Sequence, residues 1–184
     1  MRVGAVILAA GASKRLGLPK QLLMLSGETL LERAVRVARG AECSPVIVVL
    51  GASAEVIQAR CKLDDAVVMV NEDWAEGMGS SLRVGVGAVR DLDACVVMTC
   101  DMPAVTAGHL LALMSSGEVT ASSYLGKRGV PAYFPGETFQ SLMELRGDSG
   151  AKDLLRSARA VELVGGELDV DTMEDLTRAR ALFG

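Results

Sequence analysis

Apolar and polar positions are grouped in blocks along this chain. Four apolar runs have strand length: 3–10 (VGAVILAA), 45–51 (PVIVVLG), 66–72 (AVVMVNE) and 93–100 (DACVVMTC). They are continuous and rich in β-branched residues. A strand covered by helices on both faces reads this way, whereas a half-solvated strand alternates. Between the runs the period lengthens to that of a helix, at 29–39 (TLLERAVRVAR), 53–62 (SAEVIQARCK) and 80–90 (SSLRVGVGAVR). Repeated strand-then-helix predicts a three-layer α/β fold. Its sheet is mostly parallel, with right-handed crossovers.

Beyond residue 117 the rhythm changes. VTASSYLGKRGVPAYF predicts two strands joined by a Gly-Lys-Arg-Gly turn, a small antiparallel insertion. Helices are expected over 137–145 and 150–157, then a strand over 160–164 and a closing helix over 172–183. Asp171 or Thr172 can cap that last helix, and Glu174 and Asp175 suit its dipole. The 184 residues contain no linker-like stretch and no repeat, so they read as one domain.

Composition narrows the classes. Half of the residues are apolar and only 3% aromatic, so the core must be aliphatic. A net charge of −4 argues against nucleic-acid binding, which needs a basic face. No apolar run is long enough to span a membrane. The opening MRVGAVILAAG has a short apolar part that runs straight into a basic loop, which favours a buried strand over a leader peptide. Cys43, Cys61, Cys95 and Cys100 form no C-x-x-C pair and no metal spacing. They read as buried, reduced thiols of a cytoplasmic protein. The single histidine, His109, falls in a helical pattern with no evident Ser or Cys partner.

Candidate chemistry gathers where strands end, because ligands of open parallel sheets bind beyond the carboxyl ends of the strands. The first run stops at AAGASKRLG, which matches neither the dinucleotide fingerprint nor the Walker A loop. Gly11 lets backbone approach a ligand, and the N–H groups of Gly11, Ala12 and Ser13 can cradle an anion. Arg15 and Lys20 supply charge for a polyphosphate, although solvated cations on a plain strand-to-helix loop would look the same. MTCDMPAV sets Asp101 directly after the fourth run, as a Mg²⁺ ligand or a helix cap, with Thr106 better suited to capping. In GELDVDTMEDL, Asp169 and Asp171 lie two apart and face one side if extended, as further metal ligands or as caps. NEDWAEGMGSSLRVGV brings Gly79, Ser80 and Ser81 to a helix start, where they can cap or hold a nucleotide. RGDSGAK (146–152) offers two glycines and Lys152 at another helix start.

Together LAAGASKRLGLPK, NEDWAEGMGSSLRVGV, CDMPAV, GVPAYF, LRGDSGAKDLL and DVDTMEDL resemble the molybdenum cofactor cytidylyltransferases, nucleotidyltransferases of Rossmann-like fold. The likeness runs from Val3 to about Leu176. It implies transfer of CMP from CTP to the terminal phosphate of molybdopterin (molybdenum cofactor), with Mg²⁺ as cofactor. A transient complex with a molybdoenzyme or its chaperone would follow. It also implies nucleotide contacts from Leu8, Ala9, Ala10, Gly11, Ala12 and Ser13, and from Gly79, Ser80 and Ser81. Arg15 would meet the β/γ-phosphates, Lys20 the α-phosphate and Asp101 the metal, with Asp169 or Asp171 completing the site. Acceptor contacts are implied for Gly129, Pro131, Gly147, Asp148, Gly150 and Lys152. LAAG resembles the cytidylyl relatives more than the guanylyl ones, and GVP stands where relatives often carry Gly-His-Pro. Other acceptors (a sugar phosphate or methylerythritol phosphate), guanylyl transfer, and a non-catalytic cofactor carrier remain as alternatives.

Overall fold

The computed structural model describes residues 1–64, 66–146 and 151–184. Among these, β1 (Val3–Ala9), β4 (Val46–Leu50), β5 (Val67–Val70) and β6 (Ala94–Thr99) form a parallel set in the order β5-β4-β1-β6. β8 (Lys127–Pro135) runs antiparallel to β6, and β7 (Thr120–Tyr124) runs antiparallel to β8. β9 (Arg159–Glu162) lies parallel to β7 at the far edge. β8 is therefore the reversed strand in an otherwise parallel sheet, as the insertion pattern predicted. A separate two-stranded hairpin, β2 (Met24–Leu25) with β3 (Glu28–Thr29), precedes the first helix.

Helices cover both faces. α1 (Leu30–Gly40), α2 (Ala54–Arg60) and α4 (Ala107–Met114) bury Leu31, Ile57 and Leu110 against Ile7, Val48 and Met98. α3 (Met78–Ala88), α5 (Phe139–Met143) and α6 (Lys152–Arg156) bury Leu82, Phe139 and Leu155 against Val6, Val49 and Val97. Consecutive residues of β1 thus serve opposite cores, which explains its continuous apolar run. α3 packs closely: a Cβ at Gly85 would overlap Val6 Cγ1 and stand 3.1 Å from Val49 Cγ2. A third, smaller cluster joins α7 (Met173–Phe183) to β2 and to the extended stretch before it, through Leu25, Leu168, Val170 and Leu176.

Capping follows the sequence at several ends. Thr29 and Glu32 form a capping box on α1, Thr172 and Asp175 form another on α7, and Thr106 caps α4. Three expectations change. The β7–β8 turn is Leu125–Gly126, not Gly126–Gly129, and Lys127 and Arg128 already lie in β8. Both turn residues have positive φ (47° and 72°), as a two-residue hairpin loop that matches strand twist requires. The helix read from residue 80 starts at Met78, capped by Gly77 without a serine side chain. The helices read over 137–145 and 150–157 shrink to α5, after a 3-10 turn over Gly136–Thr138, and to α6.

Candidate active site

β1 and β6 are direct neighbours in register, with Leu8 opposite Thr99, so the glycine loop and Asp101 leave the sheet together. The loop is tied down from inside. Gln21 is buried, and its Nε2 donates to the carbonyls of Ala9 (2.6 Å) and Gly11 (3.3 Å). Ser13 takes a left-handed conformation (φ 52°), its carbonyl accepts from Leu16 and Gly17, and its hydroxyl oxygen accepts from Lys20 N at 3.0 Å. Lys20 then opens the 3-10 turn Lys20–Leu22 with its side chain directed across the strand ends.

That side chain meets two carboxylates. Lys20 Nζ donates to Asp101 Oδ2 and, at 2.8 Å, to Asp171 Oδ1. Asp171 Oδ2 also lies 3.5 Å from the exposed Arg15. Asp171 comes from a distant part of the chain, and its delivery has a visible cause. Val170 N donates to the Asp101 carbonyl at 2.9 Å, while Leu168 and Val170 are buried in the third cluster. Alternation along this extended stretch turns Asp169 and Asp171 outward, toward Asp101. The expected pairing of the two aspartates on one side holds.

Charge crowding sets the electrostatics. Partial burial lowers an ammonium's pKa, but the charge and hydrogen bond of Asp101, then those of Asp171, outweigh it, and the Lys20 pKa rises above its ordinary value. Asp169 is pushed up to about 6, by burial and then by the like charges of Asp101 and Asp171.

A cavity of about 340 Å³ opens beside this cluster. Its wall is Leu8–Gly11, Lys20 and Gln21, Thr99–Asp101, and the segment Trp74, Ala75, Gly77, Met78 and Ser81. Of the expected nucleotide contacts, Leu8, Ala9, Ala10, Gly11 and Ser81 line it, and Ala12, Ser13, Gly79 and Ser80 do not. Ser80 is occupied otherwise: its hydroxyl bonds to the carbonyls of Asp73 and Gly77 and accepts from Asn71 Nδ2. Asn71 is buried and holds Ser81 as well (2.9 Å), while its Oδ1 accepts from Asp73 N. It therefore shapes the whole Trp74–Ser81 wall. Gly51 admits Trp74 against the end of β4, since a Cβ there would stand 2.5 Å from Trp74 Cβ. Neither Asn71 nor Gln21 carried a role in the sequence reading; each is a polar residue at the edge of an apolar run, which was the available signal.

Of the acceptor candidates, Gly129 and Pro131 lie on β8, across β6 from the glycine loop. Ala121 pairs with Ala132 and Ser122 with Gly129, so Val130 and Pro131 bulge out of β8. Tyr124 Oη donates to the Val130 carbonyl (3.3 Å) and Ser122 Oγ to the Pro131 carbonyl (2.6 Å). Because the Ser122 proton is used there, His109 Nε2 is the donor in its 2.8 Å bond to Ser122 Oγ. His109 thus has a serine partner that its sequence neighbourhood hid, and the pair braces a strand. Pro131 is buried and its carbonyl engaged. Gly129 admits the Tyr124 ring: a Cβ at 129 would come within 2.5 Å of Tyr124 Oη, and one at Gly166 within 2.8 Å of Cδ1. The Tyr124 phenol is pushed up by burial, then by Asp169 and Asp101, so it looks onto the carboxylates. Lys152 is exposed on the first turn of α6. Gly147, Asp148 and Gly150 lie outside the described residues.

The donor set suits a hard divalent cation. Asp101 Oδ1 is buried with no hydrogen-bond partner, and Asp171 supplies a second carboxylate across the ammonium. Among the described residues no group of three His, Cys, Asp or Glu side chains is set to hold a metal by itself. Asp101, Asp169 and Asp171 are thus near one another without forming a closed site, and Mg²⁺ or Mn²⁺ completes such a set with substrate phosphates. The four cysteines are free and buried, with thiols raised by burial, Cys43 to about 11. No helix of the described residues is long and apolar enough to cross a membrane.

The MobA-like NTP transferase domain matches residues 5–163. Nicotine blue oxidoreductase of Paenarthrobacter nicotinovorans is 35% identical, over 96% of this chain and 95% of its own. Purine catabolism protein PucB of Bacillus subtilis is 32% identical, over 95% and 94%. The crystal structure of Rv0371c from Mycobacterium tuberculosis superposes with a TM-score of 0.87 at 35% identity, covering 98% of each chain. A second structure of Rv0371c is a complex with manganese (TM-score 0.82, 33% identity, 99% of this chain and 100% of that one).

Proposed function

The chain belongs to the MobA-like NTP transferase domain family, a family of nucleotidyltransferases, and from that premise we propose that it transfers CMP from CTP to the terminal phosphate of molybdopterin. An acceptor phosphate oxygen attacks the α-phosphorus, the bond to the β-phosphate oxygen breaks, and pyrophosphate leaves. One observation carries the reading: an ammonium and two aspartates meet at the carboxyl ends of β1 and β6, and Lys20 and Asp101 of that cluster stand in the wall of a cavity of ligand size. Phosphoryl-type transfer needs in-line positioning and charge neutralisation more than a protein nucleophile.

In this mechanism the backbone of Leu8–Gly11 and the Trp74–Ser81 wall orient the nucleotide. Lys20 neutralises the α-phosphate as charge grows there, and the exposed Arg15 reaches the β/γ-phosphates. Asp101 and Asp171 would hold a divalent ion, which when bound would offset charge on the triphosphate oxygens. The acceptor phosphate is already an anion, so no general base is needed, and His109 is engaged with Ser122. The acceptor approaches from the Tyr124 and Val130–Pro131 side. The product would pass to a molybdoenzyme or its chaperone.

The test is pyrophosphate release with each of the four NTPs, with and without molybdenum cofactor. A cofactor-dependent preference for CTP supports the reading. Equal kcat/KM for CTP and GTP removes the cytidylyl assignment, and use of a sugar phosphate or methylerythritol phosphate replaces the acceptor. A second reading, a redox reaction like the one named for the P. nicotinovorans relative, is favoured by 35% identity over nearly the full length. Turnover that consumes a reductant and releases no pyrophosphate selects it.

A further inference from the structure

Lys20 occupies the position a cation needs. Its ammonium bonds to Asp101 Oδ2 and Asp171 Oδ1, which come from segments far apart in the chain. Beneath it Asp101 Oδ1 is shielded from water without a partner, although a carboxylate oxygen in that setting is costly to leave unpaired. Only 18% of the Lys20 side chain and 11% of the Asp101 side chain are exposed, so the ammonium covers Asp101, while it engages one oxygen of the more open Asp171. A divalent ion and this ammonium cannot share the two carboxylates. Either would be repelled by the other at a few ångströms.

We propose that Lys20 is a placeholder cation, which keeps divalent metal off Asp101 and Asp171 until a triphosphate draws the ammonium away. Metal and nucleotide then enter together. This deepens the transferase reading, on which the nucleotide half of the statement rests. The exchange keeps each ion compensated at every stage: carboxylates with ammonium before binding, then ammonium with phosphate and carboxylates with metal. It also makes metal and nucleotide affinities reciprocal, since each favours the same displaced state of Lys20.

The experiment measures Mn²⁺ binding to the nucleotide-free protein, reading free Mn²⁺ by electron paramagnetic resonance. Wild type is expected to bind weakly. Lys20→Met should bind at least tenfold more tightly, and Lys20→Arg, which keeps a cation, should resemble wild type. Equal affinity in wild type and Lys20→Met overturns the proposal, and so does absence of binding in both. If Lys20→Met does not fold, as judged by circular dichroism, Lys20→Gln replaces it with the same two outcomes. In a second arm CTP is added to the wild type, against a blank of CTP and Mn²⁺ without protein. Protein-bound Mn²⁺ should rise at least tenfold over the nucleotide-free sample, and no rise overturns the coupling. The nucleotide-free arm stands whatever the transfer assay gives, so failure of the transferase reading and failure of the placeholder are told apart.

Discussion

In the parallel half of the sheet, β1, β4 and β6 are buried almost throughout, and the site is made where their backbones stop. In the other half, β9 is largely exposed, β8 is reversed and bulged, and the ligand edge is shaped by side chains: Tyr124 between two glycines, and Ser122 braced by His109. The first construction is rigid because moving a buried strand disturbs both cores at once. In the second, Ala132, Tyr133 and Phe134 of β8 are buried as deeply, and only its ligand edge, the Val130–Pro131 bulge, hangs on a few hydrogen bonds. Under the proposed function this difference would divide the labour, with nucleotide chemistry on the first half and acceptor choice on the edge of the second.

The largest effects should come from the rigid half and should ignore the acceptor. Asp101→Asn keeps the shape and its backbone bond to Val170 but loses the charge that holds metal. Turnover should fall by at least about 10³-fold with every acceptor, while circular dichroism is unchanged. Lys20→Ala should lower kcat by roughly 10²–10³-fold, because its charge acts on the transition state. Wild-type activity and metal dependence in Asp101→Asn would return that carboxylate to a turn residue. A change confined to KM in Lys20→Ala would limit the lysine to ground-state binding.

The rigidity itself can be broken at Gly85. A methyl group there overlaps Val6 and crowds Val49, residues of β1 and β4 deep in the second core. Overpacking of this kind costs about 1–3 kcal/mol, so Gly85→Ala should melt roughly 2–10 °C lower. Unchanged melting would mean that α3 can slide on the sheet, and the contrast between the halves would weaken.

The same contrast governs what the sequence discloses. The strands of the parallel half were readable to within about two residues, because burial on both faces leaves one signature, the unbroken apolar run. The elements missed or shifted, β2–β3, the Leu125–Gly126 turn and the shortened α5 and α6, depend on a few residues each and carry little periodicity. Asp101 and Lys20 were visible as charges at the ends of apolar runs. Their mutual contact was not visible, since 81 residues separate them and the register of β1 with β6 brings them together. Asn71, Gln21 and Tyr124 act through buried hydrogen bonds or a fitted slot; for Asn71 and Gln21 the one local mark is a polar residue at the edge of an apolar run, and for Tyr124 there is none.

Acceptor choice should respond to a gentler change. Tyr124→Phe removes one hydrogen bond to the Val130 carbonyl, at 3.3 Å, and leaves the ring in its slot. A single bond of this kind is worth about 0.5–1.5 kcal/mol. The KM for the acceptor should rise about two- to tenfold, with the KM for CTP and the melting temperature unchanged. An equal rise in both KM values would show that the bulge serves the whole site, and the division of labour would fail.

The smallest effect belongs to Asp169, where the two halves meet. Its carboxyl faces Asp101 and Asp171, with Asp175 and Tyr124 beyond and Lys20 as the nearby cation, and it titrates near 6 instead of 3.8. A raised carboxyl pKa means that the fold prefers the protonated form. The stabilisation is fully present below about 4 and is lost as the pH rises through 6. Asp169→Asn removes this titration. In metal-free buffer the variant should therefore melt higher than wild type at pH 8, by only about 1–3 °C because the group is partly solvated. The gap should close as the pH falls from 7 to 4. A constant gap across that range, or one that widens toward acid, would show that Asp101 and Asp171 do not press on Asp169. The carboxylates would then be separate groups on two independent halves of the site.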